Sequence, residues 1–200
     1  VVLSSGTLLW DLLKGSRKRN VAAFCLALTC ALGLLAWRIY QVRDLVFPPW
    51  VDSVHHAIII RKMVETWQLP RDLSPYLEMP FFYHFAFHGI ASLFGAVAHL
   101  SLPRSMIVMG QALQVGVGLS VYCLARVLWQ ERLWAVVATA LVCLVSQMPA
   151  YYTAWGKYPL LTAMVLVPLA MSMAIATIRD GGSPRRMAAL ATLVAGTLLA

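Results

Sequence analysis

Charge-free apolar runs alternate with short polar knots along this chain. Residues 21–37, VAAFCLALTCALGLLAW, carry no charged side chain. Further apolar stretches fall at about 80–98, 105–125, 133–149, 158–178 and 187–200. A helix rises about 1.5 Å per residue, so about 20 apolar residues cross a hydrocarbon layer about 30 Å thick. The pattern predicts spans at about 21–40, 105–126, 132–149, 158–178 and 186–200. Residues 1–13 are mildly apolar but broken by Asp11 and predict a short surface helix. The stretch 41–79 is the most polar and holds five of the eight acids: Asp44, Asp52, Glu65, Asp72 and Glu78. It predicts a long loop, 41–104, with helices at about 52–68 and 80–98.

The run at 80–98 is long enough to raise the question of a further crossing. If it crossed, the basic VLWQER and RDGGSPRR segments would fall on the opposite side from KGSRKRN at 14–20. If it lies in the interface, Arg126, Arg132, Arg179, Arg185 and Arg186 share a side with Lys14, Arg17, Lys18 and Arg19. Positive charge gathers on the cytoplasmic side of membrane proteins, which favours the second arrangement. Tyr83, His84 and His88 also give this run a polar face at helical spacing. The expected layout has a cytoplasmic N-terminus and the 41–104 loop outside. Trp37, Arg38 and Tyr40 mark the far interface, where aromatic rings sit at headgroup depth and an arginine snorkels.

Composition supports lipid as the main solvent. Hydrophobic residues make up 60% of the chain and charged residues 12%, against about 25% charged in ordinary soluble domains. A 200-residue globule has no interior large enough for that surplus. The fold class is therefore all-α integral membrane, a multi-span helical bundle with a long helical first extracytoplasmic loop. It reads as a single transmembrane domain over 1–200. The chain stops inside an apolar run, as a domain truncated at its C-terminus would, and no cleavable signal peptide is read at its start. The formal charge of +8 is explained by topology and does not call for nucleic acid. Cys25, Cys30, Cys123 and Cys143 all lie in apolar runs without metal or disulfide spacing and read as small hydrophobes. Gly116 and Gly118 predict close helix packing, Gln111 and Gln114 bonds to neighbouring helices, and Pro168 a bend. No phosphate-cradling glycine loop, GxSxG or HExxH is present, so the common hydrolase and nucleotide routes lack support.

Chemistry concentrates in FPPWVDSVHHAIIIRKMVETWQLP, residues 47–70. The proline pair stops a helix emerging from the first span. Asp52 or Ser53 then caps a new one. At about 100° per residue, Asp52, His56, Ile59 and Met63 fall on one stripe, with His55 at its edge. Arg61 and Glu65 form an opposite, solvated pair. A carboxylate heading an apolar stripe at a membrane surface is costly, which marks it as a candidate functional group. The ordinary alternatives are a helix cap for Asp52 and hydrogen-bonded interfacial rings for His55 and His56. A divalent metal held by Asp52, His56, His84 and His88 is a further option, although HxxxH spacing alone is weak. A second cluster, PAYYTAWGKYP at 149–159, gathers Tyr151, Tyr152, Trp155 and Tyr158 around Lys157. Its plain reading is an aromatic belt with a snorkelling lysine. Its functional reading is a sugar-stacking platform with Lys157 on a phosphate; Arg61, Lys62 and Arg104 are lesser phosphate candidates.

Several short motifs follow one another in a suggestive order. Pro48-Pro49-x-x-Asp52 opens the loop helix, which ends in Gln68-Leu69-Pro70. Then come YLEMPFFYH at 76–84, Leu93-Phe94-Gly95 and Leu102-Pro103-Arg104. Over about residues 20–180 this resembles the N-terminal module of GT-C class membrane glycosyltransferases, which include protein mannosyltransferases and the lipid A aminoarabinose transferase. The resemblance implies transfer of a sugar from a polyprenyl-phosphate donor to an unknown acceptor: protein, lipid or glycan. It implies a plasma membrane, bacterial or archaeal, as the setting. It also implies that Asp52 is the catalytic acid/base, with His55 or His56 assisting; where many members carry a second acid, this chain has Ser53. Two other classes stay open. A transporter or lipid-handling protein would use the loop histidines as proton sensors, although every acid lies in a loop or at a span end rather than near the midplane. A non-catalytic assembly subunit would tolerate changes at Asp52, His56 and Lys157.

Overall fold

The computed structural model describes residues 17–200. The expected surface helix at 1–13 lies outside these residues. Among the described residues there is no strand, only an isolated bridge between Asp72 and Pro80. The helices are α1 (Arg17–Gln41), α2 (Val51–Thr66), α3 (Ala86–Val97), α4 (Leu102–Trp129), α5 (Arg132–Ala140), α6 (Ala150–Ala154), α7 (Tyr158–Asp180) and α8 (Pro184–Leu199). Three stretches are long and apolar enough to cross a membrane: Leu102–Trp129, Arg132–Ala154 and Tyr158–Arg179. Only 44%, 17% and 28% of their most apolar windows is buried inside the protein. The remaining apolar surface needs lipid to cover it.

The bundle is organised around α4, which packs along α7 and α5 and also contacts α1. Its glycines allow close approach. A Cβ on Gly110 would stand 2.6 Å from the Tyr158 ring, and one on Gly118 would collide with Cys143 Sγ. Proline begins α4, α7 and α8, where its missing N–H costs nothing. Pro168 inside α7 leaves the Met164 carbonyl without its usual partner. Ser120 Oγ of α4 lies 3.4 Å from that carbonyl, while its shorter hydrogen bond, 2.8 Å, goes to the Val117 carbonyl of its own helix. The third predicted span is not one continuous helix. After α5 the backbone widens into a π turn, Leu141–Val145, then runs extended at Ser146 before α6.

The long loop differs in detail from the sequence expectation. Trp50, at φ 75°, precedes α2 and makes no side-chain cap, so neither Asp52 nor Ser53 is the cap. Asp52 instead sits in the first turn, where the helix dipole favours a carboxylate. Ser53 donates to the Pro49 carbonyl at 2.6 Å and is fully buried. The buried stripe of α2 is Ser53, His56, Ile59 and Ile60 rather than one ending at Met63. The expected helix at 80–98 begins only at Ala86; residues 80–85 are irregular. With 12 residues, α3 spans about 18 Å and is too short to cross.

A compact core ties this loop to the bundle. Ile60 of α2, Phe87 and Ala91 of α3, Met106 of α4, and Tyr158 and Leu161 of α7 pack together, each almost fully buried. Tyr158 stacks on Phe87 at 5.0 Å with the rings nearly parallel. Burial of the larger of these side chains, worth about 1.5–3 kcal/mol each, fixes α2 and α3 against the start of α7. The start of α7 and the start of α2 are thereby held side by side.

Candidate functional site

That juxtaposition brings two distant sequence segments together. Lys157, immediately before α7, hydrogen-bonds and ion-pairs through Nζ with Asp52 Oδ2 in the first turn of α2. Both side chains stay partly open, at 43% and 33% exposure. The hydrogen bond that it donates to Asp52 is the main reason that the Lys157 ammonium is held above the usual lysine range. Gly156 makes the contact possible. Its φ of +67° suits glycine, and a Cβ there would strike Ser53 Oγ and stand 3.0 Å from the Ser53 amide nitrogen. The buried Ser53 lies against that glycine, and a larger acidic side chain would have no room.

Asp52 and Lys157 line a cavity of about 340 Å³ together with His55, His56, Ile59 and Tyr83. Its remaining wall is the segment 71–83, contributing Leu73, Met79, Pro80, Phe81 and Phe82. This segment folds back on itself through Leu73 N–H to Met79 O and Phe81 N–H to Arg71 O, both 3.0 Å. Lys62 holds it from α2, bonding the Asp72 carboxylate and the Ser74 carbonyl. Tyr76 O–H donates to Glu65 at 2.6 Å. The volume suits a sugar-sized group. The rim is apolar at Phe82, which is 90% exposed.

Behind the cavity stands a histidine pair. His56 Nδ1 and His88 Nε2 are 2.9 Å apart, and both rings are buried. Burial lowers His56 from 6.5 to about 4, against an opposing pull from Asp52. Burial likewise lowers His88 to about 3, and the neighbouring His56 adds to the effect. Both rings are therefore neutral at pH 7, with one hydrogen between the facing nitrogens. His88 Nδ1 is buried without a hydrogen-bond partner among the described residues; the His84 carbonyl, one turn back, only weakly favours a proton on His88.

The sequence-predicted site residues divide accordingly. Asp52, His55, His56 and Lys157 meet at one cavity. His88 supports His56 from behind, whereas His84 lies exposed before α3 and does not join them. The metal set of Asp52, His56, His84 and His88 does not assemble: among the described residues no group of three or more His, Cys, Asp or Glu converges on a metal position. Tyr158 and Tyr152 pack into or against the core and Trp155 stacks on Trp50, so the expected sugar platform around Lys157 is not formed by these three rings. Arg61 points outward and pairs with Glu65, and Arg104 reaches toward the Arg43 carbonyl; neither faces the cavity. The sequence singles out Tyr83 beside His84 and His88 but not its place in the cavity, nor the 71–83 wall, because no periodicity marks irregular backbone.

Fold and site together define an all-α membrane protein with a helical loop clamped over a largely apolar cavity that bears one carboxylate. The chain belongs to a family of unknown function, DUF6541, whose model matches residues 5–200. No curated protein and no solved structure matches it.

Proposed function

We propose that the protein is a membrane glycosyltransferase that moves a sugar from a polyprenyl-phosphate donor to an acceptor on the extracytoplasmic side. The observation that carries this reading is the Asp52–Lys157 pair inside a sugar-sized cavity with an apolar rim. An amphiphilic donor suits such a site: its chain meets the exposed apolar rim while its polar end enters. The donor phosphate competes for Lys157 and draws the ammonium from Asp52. The freed carboxylate then accepts the proton of the acceptor O–H or N–H as that atom bonds to the anomeric carbon. The carbon–oxygen bond to the phosphate breaks, and polyprenyl phosphate leaves with the electron pair, its charge balanced by Lys157. Neutral His56 borders the carboxylate and orients polar groups without adding a competing positive charge.

The test is a transfer assay with a labelled polyprenyl-phosphate sugar on the full chain in membranes, with and without chelator. Asp52→Asn is expected to lower transfer by at least about a hundredfold, the usual contribution of a general base, while insertion is unchanged. Full retention of transfer by that variant would reject the assignment.

A further inference from the structure

A separate pocket, sharing no lining residue with the Asp52 cavity, is lined in part by Pro49 and Tyr158. It has a volume of about 150 Å³, and Arg38, Gln41, Gln111, Gln114 and Thr153 supply its polar lining. Arg38, in the last turn of α1, reaches across to the Cys143 carbonyl at 3.0 Å, where the π turn leaves the end of a helix open. With its amide oxygen turned toward the guanidinium, Gln114 accepts from Arg38 Nη1 at 3.2 Å and Nη2 at 2.9 Å. The other end of that amide then faces Thr153 Oγ1 at 3.5 Å. Gln111, Gln114 and Thr153 are all buried.

Every partner of this arginine is neutral. No acid lines the pocket, and Arg38 makes no ion pair among the described residues. A guanidinium half-withdrawn from water without a counter-charge is unfavourable; of its five N–H groups three face Gln114 and Cys143, and the other two are left for an oxyanion. A volume of about 150 Å³ is large enough to admit a phosphate group. Trp37 and Tyr40, on either side of Arg38 in sequence, are both more than half exposed, as residues at headgroup depth are.

We infer that the Arg38 pocket binds a phosphate group, held by the guanidinium and by the amide and hydroxyl donors of Gln111, Gln114 and Thr153. It is distinct from the Asp52 cavity and independent of the activity proposed for that cavity. The phosphate belongs either to a lipid headgroup or to the free ion. The experiment uses the full chain, delipidated in a neutral detergent. Binding is measured for inorganic phosphate, dioctanoyl phosphatidic acid and, as the phosphate-free control, dioctanoylglycerol. Arg38→Met is expected to weaken phosphate binding at least about tenfold, the loss of one charge-assisted contact. Because Arg38 also holds the Cys143 carbonyl, Thr153→Val and Gln111→Leu are measured beside it; both keep the charge and should weaken binding severalfold. Binding of phosphatidic acid alone identifies a lipid source, and binding of both phosphates a site open to the free ion. Absence of phosphate binding by the folded wild-type protein overturns the inference. So does binding that Thr153→Val and Gln111→Leu leave unchanged, or equal binding of dioctanoylglycerol.

Discussion

Acidification should loosen the clamp on the cavity through the two buried imidazoles. In the packed protein His56 and His88 titrate at about 4 and about 3, both from an ordinary 6.5. Their folded values are depressed, so the neutral rings favour the packed state. Their contribution is intact above about pH 6.5 and is lost as pH falls toward the two lowered values. Between pH 7.5 and 5.5 a state with α2 and α3 separated takes up nearly one proton per ring, whereas the packed state takes up almost none. That difference is about 1.4 kcal/mol for each histidine and about 2.7 kcal/mol for the pair. For a chain of this size it corresponds to a fall in melting temperature of roughly 5–11 °C. Tryptophan fluorescence during heating, in detergent at both pH values, measures it. The comparison is with His56→Gln/His88→Gln, which keeps polar side chains but cannot titrate there. Asp52, His55, Tyr83, His84 and Lys157 remain in both proteins, so their contributions cancel in the difference. If wild type and double variant lose the same melting temperature on acidification, the buried neutral pair is not the source.

Gly156→Ala should destabilise the protein by more than about 1 kcal/mol, since it adds a left-handed strain to a collision with Ser53; thermal unfolding reports the loss. Gly110→Ala should cost about 1–3 kcal/mol because its methyl group meets the Tyr158 ring, while Gly89→Ala, with open space around it in α3, should be neutral or stabilising by up to about 1 kcal/mol. Lys62→Met should leave overall melting nearly unchanged, because its links are solvent-exposed, yet should increase protease cleavage within 71–83.

Periodicity revealed the apolar helices because lipid imposes one rule on every residue of a span. It also marked Asp52 and Lys157, since an acid heading an apolar stripe and a lysine among aromatics are both locally unusual. A shared outward cavity for Asp52, His56 and Lys157 is expected from the layout, which puts both segments on one side, whereas their direct contact depends on the Phe87–Tyr158 stack between segments with no sequence relation. Tyr158 illustrates the limit on the aromatic cluster: a core ring and an interfacial ring have the same composition around them, and only tertiary packing separates them. His84 and His88 share a face only if the helix already exists at residue 84; it starts at Ala86, so one histidine goes inward and the other outward. Arg38 was read as a snorkelling anchor because the break in the third span, which offers it the Cys143 carbonyl, has no proline or glycine within Leu141–Val145 to announce it.

The contact between Gly156 and Ser53 bears on how a ligand enters. Backbone and buried side chain meet there with no slack, and the core behind them joins four helices, so prising α2 from α7 means dismantling the centre of the protein. The opposite wall is held by buried Leu73 and by wet contacts from Lys62 and Glu65. Widening the chamber is therefore cheapest by swinging the 71–83 flap, with the carboxylate and ammonium staying in register as it moves.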